Sequence, residues 1–252
     1  VGSGTIHFNY SIRGDKATAS LFGDVFQGVF LDQERLFIGG NNSLLGPVKA
    51  DFGAMTAAGA RIKGKLPKGL NYGHSLPKGT VDYDARIFSG VSGIVKNQVN
   101  VLAELTALVN WYKQVRINCA AQAPEQKFLY ESGLRMIELN YQERLHQLNR
   151  YVDFLENSVR LLESMQASKK QISEQKDLLS RWLKLGSEFK NLEKYETQIP
   201  ESLKEEFENL QSQGQSNYTG LIKNLSQSGK QAGKTWLSEI AGIVRNVYTA
   251  GM

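Results

Sequence analysis

The residue types that most often carry nucleophilic or metal chemistry are scarce in this sequence. It contains one cysteine, Cys119, and three histidines, His7, His74 and His146. No histidine lies near Cys119 in the sequence and no nucleophile motif surrounds it, so a catalytic thiol is disfavoured. A zinc-dependent hydratase would need several histidines to converge on one metal ion, and the three here are widely spaced. We therefore expect no metal in this chain, and its catalytic residues stay unassigned.

A period of six residues organises the region between positions 38 and 62. Small or aliphatic side chains recur at every sixth position, which we call the phase residues: Ile38, Leu44, Ala50, Thr56 and Ile62. A period of six fits neither an α-helix nor an isolated strand. It is typical of a parallel β-helix built from hexapeptides, each supplying one short strand and a turn. An ordinary glycine-rich β meander is the alternative.

We predict this β-helix over residues 1–66. Because Val1 already begins a hexad and no polar cap precedes it, we expect the β-helix to be truncated on its N-terminal side. Leu-Pro-Lys-Gly occurs twice, at residues 66–69 and 76–79, and residues 67–92 are predicted to be a connecting segment.

From about residue 93 the apolar period becomes helical, and we predict a helical domain over residues 93–252. Its clearest heptad pattern is Tyr141, Leu145, Leu148, Val152, Leu155, Val159 and Leu162. A second stripe follows with the same alternating spacing, at Leu178, Trp182, Leu185, Phe189 and Leu192. Such narrow stripes predict long helices packed as a bundle or coiled coil.

The last part of the chain is less regular. Residues 211–234 are rich in Gln, Ser, Gly and Asn, which predicts a loop or a poorly specified helix. Beyond them, an apolar pattern indicates a final amphipathic helix through Trp236, Ile240, Ile243 and Val247.

The overall composition excludes several classes of function. The formal charge is +5 and the pI is about 9.1, but lysines and arginines are scattered among acidic residues along the helices and no basic run is interleaved with aromatic residues. We therefore expect no nucleic-acid partner. No apolar run is long enough to span a bilayer and no signal peptide is present, so we expect no membrane partner and a cytoplasmic location. The single cysteine agrees with a reducing compartment.

Several short motifs between Val1 and Ile62 occur in one order: Gly4-Thr5-Ile6-x-x-Asn9-Tyr10, Lys16, Leu36-Phe37-Ile38-Gly39, Leu44-x-x-Pro47-Val48 and Gly53-Ala54-x-x-Ala57-Ala58-Gly59. In this order they resemble the C-terminal domain of a bacterial bifunctional family, the UDP-N-acetylglucosamine pyrophosphorylases and glucosamine-1-phosphate acetyltransferases. The resemblance implies a left-handed parallel β-helix, a homotrimer, acetyl-CoA as cofactor, and a sugar phosphate or nucleotide-sugar as substrate.

The resemblance also implies which residues bind the cofactor. Asn9 and Tyr10 match the pair that lines the acetyl-CoA and acceptor site, and Lys16 matches a loop lysine. Ala58 matches the alanine of the Ala-Ala-Gly turn, and Gly40 stands where the family has a cofactor-contacting serine. Between Lys16 and the first phase residue this chain has about ten residues more than the family pattern. The family's catalytic histidine would lie before Val1.

Two functions follow from these residues. The first is transfer of an acetyl group from acetyl-CoA to an amino-sugar phosphate. In that reaction Asn9 would donate to the developing oxyanion, Tyr10 would supply a wall or a hydroxyl, and Lys16 would bind phosphate. The alternative is a non-catalytic trimerisation and partner-binding module, attached to an upstream nucleotidyltransferase domain, whose helices dock a partner protein.

Overall fold

The computed structural model describes residues 18–73, 84–120, 123–215 and 217–250. Within them the strands are β1 (Leu21–Phe22), β2 (Ser43–Ala50), β3 (Ala54–Thr56), β4 (Arg61–Leu66) and β5 (Gly69–Asn71). The helices are α1 (Val25–Gly28), α2 (Val91–Trp111), α3 (Pro124–Ser164), α4 (Lys169–Leu192), α5 (Glu201–Ser212), α6 (Tyr218–Asn224) and α7 (Gln227–Thr249). A π-helical turn, Tyr112–Ile117, continues α2.

The strands form two small parallel sheets, with strand orders β1-β2-β4 and β3-β5. Residues 43–45 of β2 pair with residues 61–63 of β4, which is an offset of three hexads. After an irregularity in β2 the pairing changes, and Val48 pairs with Gly64, so the number of residues between partners is two fewer than three hexads. In the second sheet Ala54 pairs with Gly69, and the number is three fewer than three hexads.

The predicted left-handed β-helix is therefore wrong. The chain is 63% helical, and its strands are short and confined to two small sheets. A hexapeptide β-helix needs the same offset of three hexads from strand to strand, and the β2–β4 pairing keeps this offset only from Ser43 to Leu45. Residues 24–33 also depart from the predicted repeat, because they form α1 and the turn that follows it.

Most of the phase residues nevertheless lie on the buried side of the strands. Ala50, Thr56 and Ile62 are buried, Leu44 is half-buried, and Ile38 is exposed. The apolar core beneath the strands is small, and most of its members have short side chains: Val48, Ala50, Ala54, Ala60, Ile62 and Leu66.

Both heptad stripes lie on long helices, as predicted. Every member of the first stripe is buried on α3, and every member of the second is buried on α4. A stripe that repeats every 3.5 residues stays on one side of a helix, and burying it stabilises the helix through packing.

The end of the chain is more regular than predicted. Residues 211–234 contain α6 and the first turns of α7, each with a side-chain cap at its N-terminus. Asn217 accepts a hydrogen bond from the backbone of Gly220, and Ser226 accepts one from Gly229. The buried side of α7 is also rotated from the prediction, since Ile243 is exposed and Val244 is buried. Its buried apolar residues are Trp236, Leu237, Ile240, Ala241, Val244 and Tyr248.

The chain divides into two compact units. Among the described residues, unit 1 contains 18–23, 34–73, 84–98 and 146–184, and it includes both sheets. Its helical part is fixed around Phe88, whose carbonyl oxygen accepts from the side chains of Gln171 and Gln175, 2.8 Å each. The Ser158 hydroxyl accepts from the Phe88 amide at 2.9 Å.

Unit 2 contains the described residues of 24–33, 99–145 and 185–252. Its core surrounds Phe30, which is fully buried and makes an edge-to-face contact with Trp111 at a centroid distance of 5.1 Å. Gly233 of α7 allows this packing, since a Cβ there would lie 2.3 Å from the Phe30 ring. The predicted domain boundaries after residues 66 and 92 stay a prediction.

Candidate interaction surface

The predicted cofactor-binding residues fall into two groups. Asn9, Tyr10 and Lys16 lie outside the described residues. Gly40 and Ala58 are described, and both are exposed in turns of unit 1. The two turns are adjacent, because the amide of Gly59 donates to the carbonyl oxygen of Gly40 at 2.9 Å. Two of the five residues predicted from the resemblance are therefore neighbours.

A buried threonine supports these two turns. The Thr56 hydroxyl accepts hydrogen bonds from the Gly39 amide at 2.9 Å and from the Asn42 side chain at 2.6 Å. Asn42 also donates to the carbonyl oxygen of Gly39 at 2.7 Å. Gly39 has no space for a side chain, since a Cβ would lie 2.6 Å from the backbone oxygen of Thr56. These contacts fix the backbone beside Gly40 and Ala58.

The most unusual surface of unit 1 is a row of three exposed apolar side chains, Phe37, Met55 and Leu70, which we call the apolar ladder. Phe37 pairs with Met55 in an isolated parallel bridge, and Met55 pairs with Leu70 between β3 and β5. The exposed fractions are 61%, 42% and 63%. Residues paired in register lie on the same side of a sheet, so the three side chains form one continuous strip.

The alternation of side chains along β3 explains why Met55 lies outside. Ala54 and Thr56, its neighbours in the strand, are buried. Successive residues of a strand point to opposite sides, so Met55 points outward.

An ion pair lies beside the apolar ladder. Glu34 stands three residues before Phe37 and Lys68 stands two residues before Leu70, and the two side chains form an exposed ion pair. This pair neutralises one of the basic residues in a stretch of chain that is rich in them.

Groups that could act in catalysis are not assembled within the described residues. Burial raises the pKa of the Cys119 thiol, with a smaller effect in the same direction from Glu208. The thiol also donates to the carbonyl oxygen of Gln114 at 3.0 Å. His146 is exposed on α3, while the other two histidines lie outside the described residues. No cluster of metal-binding side chains occurs in the part of the chain that is described.

An open groove of about 470 Å³ lies between α1 and α7 in unit 2. Lys234, which lines the groove, donates to Asp32 at 2.8 Å. Burial raises the pKa of Asp32, but hydrogen bonds from Lys234 and Gln33, together with the charges of Lys234 and Lys230, outweigh that effect and lower it. This ion pair neutralises the lysine.

The apolar ladder was missed in the sequence, although a signal for it was present. Phe37 and Met55 each stand immediately before a phase residue and are three hexads apart. A residue beside an inward-pointing phase residue points outward, so large apolar side chains at both positions indicate an exposed strip.

Comparisons with protein-family models, curated proteins and solved structures gave no match to this chain. Among the described residues, no helix is both long and apolar enough to cross a lipid bilayer.

Proposed function

We propose that this chain is a non-catalytic self-association and partner-binding module, which assembles as a homotrimer through the apolar ladder. The observation that carries the proposal is the ladder itself, three large apolar side chains held in register and exposed to water. Contiguous exposed apolar surface of this kind marks interaction sites in soluble proteins.

The charge around the ladder supports a second copy of this chain as the occupant. An interface between identical copies around a symmetry axis brings the same surface regions together, so unpaired charges of one sign would repel. Residues 34–73 contain six basic and two acidic residues, and the stretch is therefore strongly basic. Beside the ladder, however, the Glu34–Lys68 ion pair neutralises Lys68, which reduces the repulsion between copies.

The test is the mass of the protein in solution, measured by light scattering after gel filtration. We expect the wild type to be about 84 kDa, three times the chain mass of 28.1 kDa. Met55→Glu places a charge in the centre of the ladder and should give a 28.1 kDa monomer. Met165→Glu is the matched control, because Met165 is also an exposed methionine, at 64%, but lies after α3.

A wild type that is monomeric at micromolar concentrations contradicts the proposal. So does a Met55→Glu variant that keeps the wild-type mass, since the interface would then lie elsewhere. Circular dichroism of the variant distinguishes lost association from lost folding.

Binding of acetyl-CoA is a second candidate function, and the adjacency of Gly40 and Ala58 favours it. Both residues are exposed and lie on adjacent turns with a fixed backbone, as a cofactor-binding position requires. Calorimetric titration of acetyl-CoA should then give micromolar binding that Ala58→Glu abolishes. Asn9→Ala should also abolish this binding while leaving the trimer intact. Absence of heat with the wild type removes this candidate.

A further inference from the structure

The three-stranded sheet of unit 1 carries a cluster of basic side chains. The outward side of its strands β2 and β4 carries four exposed basic residues, Lys49, Arg61, Lys63 and Lys65, which we call the basic face. The three on β4 are spaced by two residues, or about 7 Å along a strand. Lys49 of β2 is in register with Lys65, so the four charges lie on one side of the sheet.

Few acidic groups neutralise the basic face. Asp51 binds Lys65 at 3.2 Å, and the other acidic residue of 34–73, Glu34, binds Lys68. Within the described residues, no carboxylate forms an ion pair with Lys49, Arg61 or Lys63, so they are free to meet anionic groups of a partner.

One exposed apolar residue lies among these charges. Leu45 of β2 is in register with Lys63 and is 39% exposed. Lysines on exposed strands often serve only to prevent strand pairing between molecules. That role needs no apolar side chain, and an exposed leucine would work against it.

We propose that the basic face binds the anionic phospholipids of a membrane surface. Clusters of four or more basic residues attract such surfaces, and an apolar side chain among them can enter the headgroup region. A nucleic acid is less suited to the face, because β2 and β4, which carry its four charges, contain no aromatic residue on which bases could stack. The association is peripheral, through side chains of a sheet, so it needs no spanning segment, and it departs from the expectation that the chain has no membrane partner.

The inference goes beyond the proposed self-association and does not require it. If the chain is a trimer, its three basic faces act together and binding is tighter than for one copy. The Met55→Glu variant should therefore still bind anionic vesicles, but more weakly than the wild type.

The test is sedimentation of the full chain with two sets of vesicles. One set is phosphatidylcholine alone, and the other contains about 30% phosphatidylserine, enough to give a negative surface potential. We expect binding to the anionic vesicles at least about tenfold stronger, and its loss in about 0.5 M salt, where surface charges are screened.

Two charge-reversal variants make the test specific. Lys49→Glu with Lys63→Glu removes half of the basic face and should weaken binding to the anionic vesicles by about tenfold or more. Lys169→Glu with Lys170→Glu changes the net charge equally at exposed positions on α4 and should bind like the wild type.

Three results would overturn the inference. The first is equal binding to both kinds of vesicle. The second is an equal loss of binding in the two charge-reversal variants, which would reflect net charge rather than the basic face. The third is binding to single-stranded DNA but not to anionic vesicles, which would assign the face to nucleic acid instead.

Discussion

The strand region of unit 1 and the helical core of unit 2 bury their apolar residues in opposite ways. The strand region encloses small side chains, such as Ala50, Ala54 and Ala60, and leaves Phe37 and Leu70 exposed. The core of unit 2 encloses large aromatic residues, which include Phe30, Trp111, Phe207 and Trp236.

The difference follows from the geometry of the two kinds of element. The core between the short parallel strands is small, and most of the side chains in it are Ala or Val, with Ile62 and Leu66 as the larger members. Helices pack about 8–10 Å apart and leave room for aromatic rings between them. The strand region therefore has large apolar side chains available for a partner, whereas the helical core of unit 2 uses them for its own stability.

The largest effect that would test this comparison is expected from Phe30→Ala. Removing a fully buried phenylalanine that packs on Trp111 should lower the free energy of unfolding by about 3–5 kcal/mol, measured by urea denaturation. Phe22→Ala is the matched control, because Phe22 is 45% exposed in the strand region, and a change within about 0.5 kcal/mol is expected. Equal losses in the two variants would show that the two regions do not differ as described.

A smaller effect should separate the inside of the strand region from its surface. Leu66→Ala removes a buried leucine of β4 and should cost about 2–5 kcal/mol of stability without changing the mass in solution. Leu70→Ala should have little effect on a monomer's stability but should weaken self-association.

Gel filtration and urea denaturation of both leucine variants at several protein concentrations check this pair. If Leu70→Ala destabilises the chain as much as Leu66→Ala, Leu70 belongs to the core and the ladder is not an interface.

The smallest effect concerns an exposed ion pair of unit 1. Hydrogen bonds from the side chain and backbone of Arg86 lower the pKa of Asp84 to about 2. Because the folded pKa is below the usual value, the stabilisation is present above about pH 4 and is lost as the pH falls through 2. Carboxyl titration by NMR should show this pKa in the wild type and a return towards about 3.9 in Arg86→Ala. An unchanged Asp84 titration in that variant would exclude the Arg86 side chain as the cause and leave only its backbone amide, which the alanine keeps.

Periodic patterns in the sequence predicted helices and strands and the side of each element that is buried. The heptads on α3 and α4 were predicted residue by residue, because a stripe of period 3.5 has one way to be buried on a helix. The phase residues Ala50, Thr56 and Ile62 were likewise assigned to the inside of the strands.

The fold of the strand region and its surface could not be read in this way. A hexad period describes each strand and turn but leaves open whether the next strand keeps the same offset. Here the offset changes after Leu45, and residues 24–33 place Phe30 in the core of the other unit, so the repeat does not continue as a β-helix. The sequence showed that additional residues are present between Lys16 and Ile38, but it did not show that some of them pack in unit 2.

By itself, the sequence determined the local elements: the long amphipathic helices, the inward side of the short strands, and the absence of a histidine beside Cys119 in the chain. The tertiary structure alone decided which residues meet across the chain. It brought Gly40 beside the turn of Ala58, aligned Phe37, Met55 and Leu70, and gathered the basic face. The physical reason is that a local pattern fixes which side of an element is buried, whereas strand register depends on contacts between residues far apart in sequence.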